Sequence, residues 1–278
     1  MPSTLTRATK DDIDRPDRKA RRRGKSDLID AEAAARAVLS GTATTVPKRA
    51  DGNVEMTRVL RVACRSAVKA QGQAGSQLRG LLVTAPDDLR DTFRGMTTRQ
   101  RARKAARLRS GQVDDVTAAT KLALRRLARR WLALDEEITQ LDAELTRLVE
   151  ATAPKLVARR GISTHTASTL LVAAGDNPHR LRSEGSFAHL TGAAPLDASS
   201  GKQQRHRLNR GGDREANCAL HMIAINRLAH DPRSRAYVEA RTTDGKANPD
   251  ILRRLKRYIA REVYKLLIDA FDNPAPAT

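Results

Sequence analysis

Residues 120–150 read TKLALRRLARRWLALDEEITQLDAELTRLVE, and this stretch decides the fold class of the chain. Its apolar residues recur with spacings that alternate between three and four positions: Leu124, Leu127, Trp131, Leu134, Ile138, Leu141, Leu145 and Leu148. This is the a/d pattern of a heptad repeat, and charged residues flank it. The pattern predicts a long helix in a coiled coil, either within one chain or between chains. An amphipathic helix packed on its own domain is the alternative.

The rest of the chain also carries helix signals and lacks convincing strand alternation. Ser26 or Asp27 can cap a helix, and the Ala-rich residues that follow predict a helix ending at Gly41. Further helices are predicted at about 53–83, 164–174, 183–190, 213–229 and 249–271. The chain is therefore predicted to be mainly α. We expect three segments: a basic N-terminal segment at 1–50, long helices at 51–152 with the coiled coil at about 120–150, and a C-terminal domain at 153–278.

The composition points to a nucleic-acid partner. The 278 residues carry a formal net charge of +20, with 52 Lys and Arg against 32 Asp and Glu. Such an excess favours binding to a polyanion such as DNA or RNA. Aromatic residues make up only 3% of the chain, which argues against recognition of single strands by base stacking and favours contacts to the phosphate backbone.

The same composition indicates a cytoplasmic, nucleoid-associated protein with no membrane partner. No apolar signal segment follows Met1, and no apolar run approaches the roughly 18 residues that a membrane span needs. Cys64 and Cys218 are far apart, so neither a disulfide framework nor a zinc site is suggested.

A serine-containing stretch is the strongest candidate for chemistry. It reads Ala198-Ser199-Ser200-Gly201-Lys202, and a run of cations follows it. A serine can attack a phosphodiester when nearby positive charge stabilises the transition state. Ser199 and Ser200 are thus candidate nucleophiles, and the candidate phosphate contacts beside them are Lys202, Arg205, Arg207, Arg210 and Arg214. Asp213 is interpreted as a helix N-cap and not as a catalytic group.

Three other positions have both a functional and a purely structural interpretation. Asp27 and Asp30 share one helix face and could bind Mg²⁺, or they could simply stabilise the helix N-terminus. The turn Gly161-Ile162-Ser163 resembles a helix-hairpin-helix and could hold a phosphate, or it is an ordinary corner between two helices. The cations near the N-terminus either contact a nucleic-acid backbone or form a solvated tail: Arg21, Arg22, Arg23 and Lys25.

The order of these motifs resembles a known family. Lys25-Ser26-Asp27, with Asp30-Ala31, precedes the heptad stretch, the Gly161-Ile162 turn, the serine stretch and finally Leu208-Asn209-Arg210-Gly211-Gly212-Asp213-Arg214. From about Arg15 to Leu267, this order is similar to that of the DEDD transposases of the insertion-sequence 110 family. The resemblance implies a RuvC-like α/β domain joined through a helical coiled coil to a C-terminal helical transposase domain.

The resemblance also implies a mechanism. Family members bind Mg²⁺ through four acidic residues, link a nucleophilic serine covalently to DNA, use a guide RNA encoded by the element and assemble as oligomers. Asp27 and Asp30 match the last two acids, and Ser199 or Ser200 matches the nucleophile. No strand-like segment precedes Asp27 to carry the first Asp and the Glu, so the RuvC-like domain is expected to be a remnant.

Three functions follow as expectations. The first is an insertion-sequence transposase that exchanges strands of DNA at element ends and targets. The second is a catalytically incomplete remnant that binds nucleic acid and oligomerises. The third is an unrelated helix-hairpin-helix protein of repair or junction binding, which would leave the serine and Asp27 motifs without a role.

Overall fold

The computed structural model describes residues 27–41, 48, 50–176, 181–197, 206–207, 209 and 211–272. For residues 27–30, 197, 206 and 207 it describes the backbone alone. The prediction of a mainly helical chain is confirmed. Within the described ranges, no helix is both long and apolar enough to cross a membrane.

Most of the predicted helices are found close to their predicted bounds. They are α1 (Asp27–Leu39), α2 (Asn53–Val83), α5 (Val116–Thr152), α7 (Thr164–Ala174), α8 (Glu184–Leu190), α9 (Arg214–His230) and α11 (Asn248–Asp272). Gly41 follows α1 with a φ of 67°, which suits the glycine expected after a helix C-terminus.

Four shorter helices were not predicted from the sequence. They are α3 (Asp87–Asp91), α4 (Thr98–Ala105), α6 (Pro154–Val157) and α10 (Pro232–Thr243). The first three are too short to show a helical period. In α10 Asp231 caps the N-terminus and Pro232 occupies its first turn, but only Ser234 is buried, so the helix carries almost no apolar stripe that could have revealed it.

The described residues form two compact units. One unit comprises the described residues of Met1–Gly52 together with those of Thr169–Pro274, and the other comprises Asn53–Ser168. We call the first the terminal unit and the second the central unit. The terminal unit thus groups α1 with the last helices of the chain.

Two long antiparallel helices, α2 and α5, make the most extensive helix contact of the central unit. Gln71 donates a hydrogen bond to Asp135 at 3.0 Å, and the Cys64 thiol donates to Asp142 at 3.5 Å. Gly75 lies against the Trp131 indole, where a Cβ would be only 3.2 Å from Nε1. Because Gly75 has no side chain, the Trp131 indole of α5 packs closely against α2.

The heptad stripe of α5 is buried at several positions inside its own chain: Leu124, Trp131, Leu145 and Leu148. Its first half joins a core with residues of α2, α3 and α4, among them Leu78, Leu89 and Ala102. A sustained apolar stripe in this chain therefore packs within the central unit. A coiled coil between chains stays a prediction.

Helices α8 to α11 pack together in the terminal unit. The largest fully buried side chains there include Phe187, Leu220, Ile223, Ile259 and Leu267. Glu184 at the start of α8 pairs with Arg257 and Arg261 of α11. Desolvation by burial acts to raise the pKa of Glu184, but the two cations together outweigh it and lower that pKa. These pairs fix α8 on α11.

The only strands among the described residues are two antiparallel pieces of two residues, β1 (Leu196–Asp197) and β2 (His206–Arg207). Leu196 pairs with Arg207, and Asp197 pairs with His206. The two ends of the serine-containing segment 198–205 are consequently held side by side.

Candidate functional site

The segment that follows β2 is fixed on the end of α8. The amide of Asp213 donates to the carbonyl of Leu190 at 2.6 Å. The side chain of Asn209 donates to the carbonyl of His189 at 3.3 Å and accepts from the amide of Gly211 at 2.9 Å. Asn209 thus uses both ends of its amide group to shape this loop and to attach it to α8.

Two glycines make this attachment possible because their backbones touch. A Cβ at Gly212 would lie 2.3 Å from the nitrogen of Gly192 and 2.9 Å from the carbonyl oxygen of His189. Gly192 itself has a φ of 65°, and a Cβ there would lie 2.8 Å from the Asn217 side-chain nitrogen. Neither position has room for a side chain, so Gly212 serves close packing between the loop and the end of α8.

Asp213 caps the helix that follows. Its carboxylate accepts hydrogen bonds from the amides of Glu215 and Ala216 at 2.8 and 3.0 Å. The interpretation of Asp213 as an N-cap is confirmed. The cap fixes the direction in which α9 leaves the loop.

A buried lysine, Lys256, stabilises the start of α9 and the end of α8 through hydrogen bonds. Lys256 of α11 is 7% exposed and donates to the Asn217 side-chain oxygen at 2.6 Å. Asn217 in turn donates to the carbonyl of Thr191 at 2.8 Å. Desolvation lowers the pKa of Lys256, with a smaller opposing effect of Cys218. Lys256 therefore connects α11, α9 and the end of α8 through a single polar chain.

The role of Lys256 was not predicted, although the sequence contained a signal for it. Lys256 lies on the face of α11 that also carries the buried residues Leu255, Ile259 and Ala260. A charged residue within an apolar helical face indicates a buried polar contact, because an isolated buried charge is costly. Which group it contacts could not be read from the sequence.

The serine segment itself lies outside the described residues, as do most of the predicted cationic contacts: Ser199, Ser200, Lys202, Arg205 and Arg210. Arg207 is described by its backbone alone, in β2, and Arg214 is exposed in the first turn of α9. What the structure does establish is the support on either side of the segment. The strand pair closes its ends, and the Asn209–Asp213 loop attaches its C-terminal side to α8.

The predicted metal ligands and the basic N-terminal contacts are described only in part. Asp27 and Asp30 lie in α1 at i and i+3, with side chains outside the described atoms, and the four basic residues lie outside the described ranges: Arg21, Arg22, Arg23 and Lys25. Among the side chains that are described, no group of three or more His, Cys, Asp and Glu residues could hold a metal ion.

The Gly161-Ile162-Ser163 turn connects α6 to α7 through a glycine with a φ of 82°. The amide of Ile162 donates to the carbonyl of Arg159 at 3.1 Å, and the amide of Ser163 donates to the hydroxyl of Thr166 at 3.0 Å. Two amides of the turn are thus already used within the chain. Phosphate binding at this turn stays a prediction, and it would depend on groups beyond these two amides.

The region around the serine segment matches a known protein family in sequence. Residues 154–239 match the family described as Transposase IS116/IS110/IS902 family. The matched segment runs from α6 into α10, so it includes the Gly161 turn, the strand pair, the serine segment and the Asn209–Asp213 loop. Lys256 and the part of the central unit before Pro154 lie outside it.

Two relatives point to the same class of proteins. The chain is 28% identical over 192 residues to the Insertion element IS110 uncharacterized 43.6 kDa protein of Streptomyces coelicolor, an alignment that covers 63% of this chain and 47% of the relative. It is 28% identical over 165 residues to the Insertion element IS900 uncharacterized 42 kDa protein of Mycobacterium paratuberculosis, covering 58% of this chain and 41% of the relative. The chain thus spans about half the length of the curated relatives it matches, or less. Together the matches show similarity to an insertion-sequence transposase family and to two insertion-element proteins.

Proposed function

We propose that this chain acts on DNA as an insertion-sequence transposase, with Ser199 or Ser200 as the nucleophile. The observation that carries the proposal is the match of residues 154–239 to the transposase family, because this segment contains the serines and their supports. The β1–β2 pair brings the ends of the serine segment together, and the Gly192–Gly212 contact fixes the following loop. Such support is what a nucleophile on a loop requires to be held in a reactive position.

In the proposed step, the serine oxygen attacks a phosphorus atom of the DNA backbone. A bond forms between the serine Oγ and phosphorus, and the bond from phosphorus to one bridging sugar oxygen breaks. The proton lost by the serine ends on that sugar hydroxyl, so the number of phosphodiester bonds is conserved. Lys202, Arg205 and Arg207 stabilise the negative charge that develops on the phosphoryl oxygens.

Magnesium is the cofactor that the family resemblance implies. Two carboxylates at i and i+3 on α1 fit a shared cation, although octahedral Mg²⁺ needs more oxygen ligands than these two residues offer. Asp27 and Asp30 would hold the ion. When bound, Mg²⁺ supplies Lewis-acid stabilisation of phosphoryl charge.

A guide RNA and further copies of the chain complete the proposal. The net charge of +20 favours polyanions and is compatible with a second nucleic-acid partner besides DNA. The long helix α5 is the element we propose for self-association, through the part of its surface that α2 leaves exposed.

The test uses the full chain, its transcript and a plasmid that carries the coding region with its flanking DNA. Strand exchange and a covalent protein–DNA adduct are measured for the wild type, for Ser199→Ala, for Ser200→Ala and for the double variant. We expect the double variant to lose both products while its DNA affinity stays within about twofold of the wild type, because the serines contribute no charge to backbone binding. Ser76→Ala, at an exposed position of α2, is the control.

A second candidate function is binding of nucleic acid and self-association without strand exchange. It is favoured by the net charge of +20, which attracts a polyanion whether or not any chemistry follows. If the wild type binds DNA tightly but yields neither adduct nor exchanged strands with Mg²⁺ present, this second function replaces the first.

A further inference from the structure

A basic groove lies on the central unit, outside the segment that matches the transposase family. It has a volume of about 400 Å³ and is lined by Met96, Gln100, Arg103, Lys104 and Arg107. Three of the five lining residues are cations and none is acidic. The surrounding stretch, residues 94–109, contains seven Arg and Lys residues and no Asp or Glu: Arg94, Arg99, Arg101, Arg103, Lys104, Arg107 and Arg109.

The helix that carries this groove is firmly held. A capping box between Thr97 and Gln100 fixes the start of α4. Ala102 and Ala105, on the opposite face from the groove, are fully buried in the core of the central unit. Arg99 donates two hydrogen bonds to Asp135 of α5, at 2.9 and 2.8 Å. Arg103 and Lys104 therefore project from a supported helix, and Arg107 lies in the turn that directly follows it, where its amide donates to the carbonyl of Lys104.

The charges in the groove are not neutralised by neighbouring carboxylates. Elsewhere on the surface of this unit, arginines pair with an acid three positions away, as Arg90 does with Asp87 and Arg147 with Glu144. Among the described residues, no carboxylate forms an ion pair with a groove cation. Lys104 instead donates to the carbonyl of Thr92 and lies 5.2 Å above the Phe93 ring. Its ammonium is thus positioned by a carbonyl and a ring, and its positive charge remains available.

We propose that this groove binds the phosphate backbone of a DNA duplex. Arg103 of α4 and Arg107 of the turn that follows α4 are exposed and line the groove together with Lys104, so they present two forked donors and a point charge to phosphate oxygens. No aromatic residue lines the groove, so it offers no platform for base stacking. The contact is therefore independent of sequence and positions the duplex on the central unit.

This inference rests on the proposed function only in requiring that the partner is a nucleic acid. It adds a second contact surface, separated in sequence from the serine segment by about ninety residues. A surface of this kind would let the central unit hold a duplex whether or not the serines react.

The experiment measures binding of the full chain to a labelled mixed-sequence DNA duplex over a series of salt concentrations. The groove variant is Arg103→Gln/Lys104→Gln/Arg107→Gln. The matched control is Arg58→Gln/Arg90→Gln/Arg147→Gln, which removes the same number of charges from exposed arginines that already have acidic partners and lie outside the stretch 94–109. Both variants reduce the net charge by the same amount, so only the location differs.

We expect the groove variant to bind at least about tenfold more weakly and to flatten the plot of log K against log salt by about 0.9 for each phosphate that the variant no longer neutralises. The control should change affinity less than about threefold, because its arginines are already paired with acids. Equal weakening by the two variants would show a general charge effect and overturn the proposal, as would unchanged binding by the groove variant.

Further measurements distinguish failure of the groove proposal from misfolding of the variant and from failure of the transposase proposal. If thermal melting shows that removal of the Lys104 side chain unfolds the central unit, the variant Arg103→Gln/Arg107→Gln, which retains Lys104, decides the question. The groove inference fails alone if the groove and control variants bind equally while strand exchange proceeds. The transposase proposal fails alone if the groove variant weakens binding but no wild-type adduct forms.

Discussion

Gly212 is the residue whose substitution most directly tests the support of the serine segment. Any side chain there meets backbone, since a Cβ would lie 2.3 Å from the Gly192 nitrogen and 2.6 Å from its Cα. Backbone atoms cannot rotate away as the end of a flexible side chain can. The Asn209–Asp213 loop must therefore leave α8 if Gly212 is replaced.

We predict that Gly212→Ala lowers the free energy of unfolding by about 1–3 kcal/mol, the usual cost of overpacking. It should also reduce strand exchange by more than it reduces DNA affinity. The adjacent Gly211→Ala is the control, because its Cβ would meet only the Asn209 side-chain oxygen, at 3.4 Å. Denaturant unfolding and the plasmid assay measure both effects. Equal results for the two variants would contradict the structural role of Gly212.

The two cysteines, Cys64 and Cys218, have different environments, and this difference could not be read from the sequence. Cys64 is buried in the central unit, whereas Cys218 is exposed on α9. Burial, reinforced by the nearby Asp142 carboxylate, raises the pKa of the Cys64 thiol to about 11. The thiolate is the reactive form, so a raised pKa and burial both protect Cys64.

We predict that iodoacetamide at a pH of about 8, just below the ordinary thiol pKa, modifies Cys218 and leaves Cys64 intact, as read by mass spectrometry of peptides. Because the folded-state pKa of Cys64 is raised above its ordinary value of 9.0, its contribution to stability is full below pH 9.0 and is lost as the pH rises through about 11. Modification of both cysteines in denaturant is the control. Labelling of Cys64 in the native chain as fast as Cys218 would show that the α2–α5 contact opens readily.

At the scale of elements, the pairing of α2 with α5 depends on which side of α2 carries its glycines. Gly75 faces Trp131, where a Cβ would be 3.2 Å from Nε1 and 3.6 Å from the Thr98 methyl carbon. Gly80, in the same helix, faces open space, and a Cβ there would have no neighbour within 4 Å. The two glycines therefore form a matched pair that differs in contact with α5.

We predict that Gly80→Ala raises the free energy of unfolding by about 0.5–1 kcal/mol, because alanine is the better helix former. In Gly75→Ala, crowding against Trp131 should cancel this increase in the free energy of unfolding, and Gly75→Val should lower the free energy of unfolding. Trp131 fluorescence during denaturant unfolding reports both changes in the free energy of unfolding. If Gly75→Ala is as stabilising as Gly80→Ala, the tight contact between α2 and α5 is absent.

At the scale of the whole molecule, charge determines how the chain meets its partners. A net charge of +20 is spread along the chain, with cations in α4 and around the serine segment. Long-range attraction of this kind is screened by salt and acts on any polyanion. Base-specific recognition would have to come from elsewhere, such as the guide RNA of the proposed function.

We predict that DNA binding by the full chain weakens steeply with salt, with a slope in log K against log salt of about −0.9 for each phosphate contact. Fluorescence anisotropy with duplexes of two unrelated sequences measures it, and the two slopes should agree. A response that is flat in salt would argue against a nucleic-acid partner for both candidate functions.

The sequence alone determined the helical character of the chain and the position of its principal elements. Heptad spacing in 120–150, the glycine after Leu39 and the capping Asp213 are local signals, and local signals predict helices because a helix bonds each residue to neighbours within about one turn. The order of the motifs along the chain also pointed to the transposase family. Short helices such as α4 were missed because they present too few turns to show a period.

Tertiary structure alone decided which of these elements meet. It covered part of the α5 stripe with α2 from the same chain, packed Gly212 against Gly192 and placed Lys256 within hydrogen-bond distance of Asn217. These contacts join residues about 20 to 80 positions apart, and their energy comes from close packing and burial that no local pattern encodes. The sequence was sufficient to identify candidate residues for the chemistry, whereas only tertiary packing determined which residues contact one another.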